Sequence, residues 1–197
     1  MADGRPWFKR VGILAVGIAV VLVACVLIFW PPSPTIVLVT RHAERNDAAS
    51  CSPSTIYMRQ NRPLATVDGQ SPRAQALAHV AGEAGLAAIY ASEFCRTQQT
   101  VQPLATQVSL SVTVVNQYAA DGSLNVDDLV SQVKAHKGKV VLVAGHTDSV
   151  AAIIEKLGGG TITAIPEDDF DNLFVVTIPR WFGKTKVVRL KYGDPSP

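Results

Sequence analysis

The chain has 197 residues, enough for one domain with a sizeable core and hardly enough for two. It carries 18 Lys and Arg against 16 Asp and Glu. Arg5, Lys9, Arg10 and Asp3 sit at the N-terminus and leave fifteen charges of each sign in the rest, so the chain lacks the basic footprint of a nucleic-acid binder.

Hydrophobic residues make up 48%, and the excess lies in residues 11–30, VGILAVGIAVVLVACVLIFW, a run without a charge. At about 1.5 Å rise per residue this stretch matches a bilayer core of roughly 30 Å. The basic residues before it predict a cytoplasmic N-terminus and an exported remainder, periplasmic in a Gram-negative cell. Residues 1–10 then form a cytoplasmic tail, 11–30 a transmembrane anchor, 31–34 (PPSP) a stiff linker and 35–197 the exported domain. A cleaved signal peptide would have a shorter apolar region and a small-residue cleavage site. Leu22-Val23-Ala24-Cys25 resembles a lipoprotein box with Cys25 as the lipidated residue, but the apolar run continues to Trp30, which favours an uncleaved anchor.

Beyond the linker, strands and helices alternate, which predicts an α/β domain with a largely parallel central sheet flanked by helices. Residues 35–40 (TIVLVT) read as a strand buried on both faces. Residues 46–69 read as a long polar loop with Pro53 and Pro63. A helix is expected over 72–83, capped by Ser71, started by Pro72 and buried through Ala74, Leu77, Ala78 and Ala81. The second strand is 86–91. Ser92 is expected to open a helix with Arg96 in its first turn, and Pro103 to kink or end it.

Residues 112–115 read as a short third strand, and Asn125 as the cap of a helix with Asp127 and Asp128 in its first turn. A fourth strand covers 139–144. The next helix buries Val150, Ile153, Ile154 and Leu157 and stops at Gly158. Residues 174–178 and 186–191 close the domain as an antiparallel edge pair. Cys51 and Cys95 have no zinc spacing, and the sequence leaves open whether they pair or stay separate thiols.

Chemistry-bearing side chains gather just beyond strand ends, where open α/β sheets bind ligands. Arg41-His42-Ala43-Glu44 follows the first strand, Ser92 to Thr97 with Arg96 the second, and Gly145-His146-Thr147-Asp148 the fourth. Guanidinium forks match phosphate oxygens, and helix N-termini favour anions. A neutral imidazole can attack phosphorus, while a second, as imidazolium, can stabilise charge on the transferring oxygens. The set suits phosphoryl transfer through a histidine to or from a small phosphorylated substrate. Two arginines beside two histidines repel a cation, so neither a metal nor another cofactor is expected.

These three motifs, in order and each at a strand end, resemble the histidine phosphatase superfamily, also called phosphoglycerate mutase-like, over about residues 36–192. The resemblance implies His42 as the phosphorylated nucleophile, Arg41 and Arg96 as phosphate ligands, and His146 as the second pocket histidine. Arg41-His42-Ala43-Glu44-Arg45, with Asp47 and Cys51 after it, is also similar to exported lipopolysaccharide-core heptose-phosphate phosphatases. Such a protein would hydrolyse a small phosphomonoester or a phosphorylated envelope sugar. A phosphomutase or a catalytically weak phosphate-binding module are the alternatives.

The general acid departs from the family pattern. Residues 116–121 (NQYAAD) contain no Glu, and Thr147 directly follows His146. Asp148 is the first candidate, with a plain helix N-terminal carboxylate as its other reading, and Asp121 is the second. Glu44 is read either as orienting Arg41 or Arg45 or as solvated. His79 is expected on the surface, His136 as a helix-dipole partner, and Glu167, Asp168, Asp169 and Asp171 as a solvated acidic loop.

Overall fold

The computed structural model describes residues 16–22, 25, 33–51 and 61–196, in two compact units, Met1–Ser33 and Pro34–Pro197. Within the first unit, residues 16–22 and 25 are helical. Most of the expected tail, anchor and linker lies outside the described residues. Among the described residues no helix is long and apolar enough to cross a membrane.

The second unit contains a six-stranded sheet. Its strands are β1 (Thr35–Arg41), β2 (Leu86–Ala91), β3 (Val112–Val114), β4 (Val140–Gly145), β5 (Asn172–Ile178) and β6 (Lys186–Lys191). The order is β3-β2-β4-β1-β5-β6. The first four strands in that order pair in parallel, and β5 joins β1 and β6 antiparallel. The expected parallel core with an antiparallel edge pair is therefore present.

Period-two alternation builds a core on each face of the sheet. Val37, Val39, Val141 and Val143 pack with α3 (Asp127–Ala135) and α4 (Thr147–Ile154). Leu38, Ile89 and Leu142 face the other way, onto α1 (Pro72–Ala81) and α2 (Cys95–Gln107). In α1, Ser71 Oγ accepts the Ala74 N–H at 3.4 Å and Pro72 takes the first position, as the sequence implies. The helix ends at Ala81, two residues before the expected end. After α4 the chain continues as a wide π-type turn, Glu155–Gly159, and Gly158 breaks it at φ +87°.

Four local expectations are refined. Pro103 does not end α2, which runs through it to Gln107. The missing N–H costs about 3 kcal/mol, and burial of Val101, Leu104 and Ala105 on the same helix offsets it. Ser92 is not the helix cap. Its hydroxyl bonds Thr97 Oγ1 at 2.7 Å, and α2 begins three residues later, after Phe94. His136 bonds the Tyr90 hydroxyl through Nε2 at 2.8 Å, which packs the end of α3 onto β2. The cap position of α3 falls to Val126, and Asn125 just before it accepts the Asp127 N–H on Oδ1 at 3.2 Å.

Candidate active site

Strand register brings the two histidines together. β1 and β4 are parallel neighbours with Arg41 opposite Gly145, so the next residue of each, His42 and His146, leaves the sheet at the same height. The His42 backbone N–H donates to Gly145 O at 2.9 Å, and the two rings stand 5.2 Å apart, edge to face. β2 lies on the far side of β4 and delivers Arg96 in the first turn of α2. Thr100 Oγ1 ties the two parts, accepting the Ala43 N–H at 2.9 Å and donating to Arg96 O at 2.7 Å.

Arg41, His42, Arg96 and His146 are all buried, and all four line one cavity of about 550 Å³. Arg45, Tyr118, Asp148 and Glu167 line it as well. The four residues expected to form the phosphate site are thus brought together.

His42 Nδ1 lies 2.7 Å from Ala43 O, a carbonyl that can only accept. Nδ1 therefore carries the proton and Nε2 keeps its lone pair. Burial pushes the His42 imidazolium down to about 3, reinforced by Arg96 and opposed by the Ala43 carbonyl. Burial also holds His146 well below the usual imidazole range, with His42, Arg96 and Arg41 adding to the effect. Both rings are neutral at pH 7. The imidazolium expected at His146 is disfavoured, and the positive charge of the site resides on the arginines. Arg96, pushed down to about 10 mainly by burial, stays charged.

The arginines are braced by aromatic faces and backbone carbonyls. Arg41 stacks over Phe170 at 4.3 Å and donates from Nη1 to Pro166 O at 2.9 Å and Asp169 O at 3.3 Å. Arg96 lies 4.5 Å over the Phe94 ring, whose edge also meets His146 at 4.7 Å. Arg41 Nε and both ring nitrogens of His146 are buried without a hydrogen-bond partner among the described residues.

The acidic loop is not simply solvated. Glu167 and Asp168 are exposed, but Asp169 pairs with Arg189 at 2.9 Å and Lys191 at 2.7 Å, and Asp171 pairs with Lys191. These pairs hold, against β6, the loop whose carbonyls receive Arg41. Glu44 orients neither Arg41 nor Arg45. It accepts from Arg73 Nε at 2.9 Å and Nη2 at 2.5 Å, and Arg73 reaches on to the carbonyls of Tyr192 and Asp194. His79 is exposed as expected.

Asp148 lines the cavity and also serves the helix N-terminus. Its Oδ1 accepts the Tyr118 hydroxyl at 2.7 Å and the Ser149 N–H at 2.8 Å. Asp121 instead closes a turn by accepting Ser123 N–H and hydroxyl, and it does not line the cavity. Glu93 holds Tyr118 in place, accepting the Gln117 and Tyr118 N–H groups at 2.9 and 3.2 Å. Burial, then Asp148, raises the Tyr118 phenol well above its usual range, so it remains a donor.

Tyr118, Phe94 and Phe170 carry no sequence signal for the site, and Glu167, expected only as part of a solvated loop, lines the cavity. Tyr118 stands in residues 116–121, which lack the family's Glu, but nothing in its spacing signals a partner thirty residues away. Cys51 and Cys95, left open above, form a disulfide. Asn61 reinforces it, accepting Cys95 N–H on its side chain and Cys51 N–H on its carbonyl.

No family model and no curated protein matches the chain. Among solved structures it is similar to the protein histidine phosphatase SixA complexed with tungstate, at 19% identity and TM-score 0.56, over 79% of this chain and 96% of that one. It is similar to a mycobacterial glucosyl-3-phosphoglycerate phosphatase at 15% identity and TM-score 0.56, over 81% and 99%. A structure titled mycobacterial hydrolase 1 matches at 14% identity and TM-score 0.53, over 83% and 100%. Strand order, the two strand-end histidines and these likenesses agree that the chain has the fold of the histidine phosphatases.

Proposed function

We propose that the domain hydrolyses a small phosphomonoester or a phosphorylated envelope sugar through a phosphohistidine on His42. The observation that carries this is the tautomer of His42. A neutral ring with its proton committed to Ala43 O presents the Nε2 lone pair beside two charged arginines. The unpartnered Arg41 Nε and the single N–H of the neutral His146 ring are donors suited to phosphoryl oxygens. In the first step the Nε2 lone pair forms an N–P bond while the P–O bond to the leaving oxygen breaks, and that oxygen takes a proton. In the second, water attacks phosphorus, loses its proton, and the N–P bond breaks to release inorganic phosphate. The solved structures of similar fold include a protein histidine phosphatase and a phosphosugar phosphatase, which supports a phosphatase of this type.

Residues 11–30 are read as an anchor that holds the domain outside the cytoplasm. A disulfide between Cys51 and Cys95 fits an oxidising compartment. The enzymatic reading is tested by quenching turnover of phosphorus-labelled substrate under non-acidic conditions. Label should appear on His42, and His42→Ala should lose both label and turnover. Label on a serine, or turnover that survives in His42→Ala, would overturn the mechanism. Tight phosphate binding without any label would select a phosphate-binding module.

A further inference from the structure

The hairpin joining β5 to β6 carries two aromatic side chains that the fold does not use. Residues 179–185 form its tip, and there Phe182 is 92% exposed and Trp181 52%. Gly183, at φ +115°, turns the chain. Arg180, Lys184 and Lys186 flank the aromatics, all three exposed and none in an ion pair among the described residues. From Asn172 to Gly193 the sequence contains no Asp or Glu. An exposed Trp-Phe pair ringed by cations is costly in water and unsuited to a protein core. It matches the interface of an anionic bilayer, where rings sit at headgroup depth and cations meet lipid phosphates.

Topology orients this patch. β5 runs antiparallel to β1, with Ile178 opposite Thr35, so the tip lies beside the start of β1. Thr35, Arg180 and Trp181 line one hollow, together with Lys134 and Lys137 from the end of α3. The site formed by His42 and His146 lies at the other end of the strands, roughly 23 Å away at about 3.3 Å per residue over β1. Residues 31–34, between the apolar run and Thr35, can span at most roughly 14 Å. If residues 11–30 anchor the chain, that short linker tethers the start of β1 to the same bilayer.

We propose that Trp181, Phe182 and the cations around them form a lipid contact that docks the domain on an anionic membrane surface, with the catalytic edge directed away from the bilayer. The contact rests on the reading of residues 11–30 as an anchor, which supplies the proximity. It adds a second point of attachment to the anchor, and the substrate is then met at the height of the domain rather than at the lipid surface.

The test uses the full chain reconstituted in uncharged phosphatidylcholine vesicles and in vesicles containing about one third phosphatidylglycerol. Flotation with uncharged vesicles reads the anchor, and amide exchange in residues 179–185 reads the tip. Exchange there should slow by roughly tenfold on anionic vesicles. Both Trp181→Ser with Phe182→Ser and Lys184→Glu with Lys186→Glu should abolish that protection and leave aryl phosphate turnover unchanged. A chain that floats with both vesicles while its tip exchanges equally in both would overturn the lipid contact and keep the anchor. Protection of the tip in detergent that grows with protein concentration would overturn it in favour of a second copy of the chain. A chain that floats with neither vesicle would remove anchor and contact together.

Discussion

Asp148 holds two positions at once, and the pocket geometry separates their consequences. Its Oδ1 receives the Tyr118 hydroxyl and the Ser149 N–H, which is the behaviour of a helix N-terminal carboxylate. Those two bonds also fix the plane of the carboxyl group, and the residue lines the cavity with His42 and His146. A proton donor matters most for a poor leaving group, such as a sugar alkoxide, and little for an aryl oxide. Asp148→Asn should therefore lower hydrolysis of sugar or alkyl phosphates by roughly 10²-fold while aryl phosphate turnover changes little. Tyr118→Phe keeps the ring that packs on His146 and Phe94 but removes the donor, so it should give a smaller loss confined to the same substrates. Equal losses on both substrate classes, with stability lowered by about 1 kcal/mol or less, would leave Asp148 as a helix charge only. Glu167, across the same cavity, would then be the next carboxylate to replace.

The exit of β4 is the element on which the site depends most closely. A Cβ on Gly145 would stand 2.5 Å from Ser149 Oγ and 2.9 Å from Gln117 Oε1. Ser149 Oγ accepts the His146 N–H, and Gln117 Nε2 donates to Ala144 O, so both neighbours belong to the support beneath His146. Gly145→Ala should cost about 1–3 kcal/mol in unfolding free energy. It should also lower kcat/KM at least tenfold, about 1.4 kcal/mol of transition-state stabilisation. Denaturant midpoints and steady-state kinetics on one preparation check both. Parent-like kinetics would mean that the β4 exit is not what places His146.

The same exit explains what the sequence discloses and what it hides. A β-branched run followed at once by Arg41-His42, and another followed by Gly145-His146, place the cavity's histidines by position on a strand, which periodicity reveals. Local signals such as Ser71 and Pro72 before α1 are equally legible. Partners far apart in sequence leave no such trace. Glu44 finds Arg73 across 29 residues, Tyr118 finds Asp148 across 30, and Arg41 finds the Pro166 carbonyl across 125. Pro103 leaves α2 unbroken for a related reason, since its local penalty is outweighed by packing that only the assembled sheet provides. The acidic loop misleads because its cations arrive on β6.

For the molecule as a whole, the buried histidines set how stability responds to acid. His42 and His146 are neutral in the folded domain, with the His42 imidazolium pushed down to about 3 and His146 held well below its usual range, chiefly by burial. In the unfolded chain both titrate near about 6.5. Below that value the unfolded state binds more protons than the folded one, so unfolding becomes easier as pH falls. Stability is full above about pH 6.5, and each histidine can remove up to about 1.4 kcal/mol per pH unit below it, until the folded protein itself takes up the proton. Asp169 acts in the same direction at lower pH. Burial works against its charge, but hydrogen bonds and the charge of Lys191 hold its carboxyl well below the usual range. Urea midpoints should therefore decline steadily between about pH 7 and pH 4.5, and His42→Gln or His146→Gln should each flatten that decline. A decline equally steep in both variants would mean that the two rings take up protons in the folded protein as readily as in the unfolded chain. That outcome would leave the proposed nucleophile neutral only above about pH 6.5.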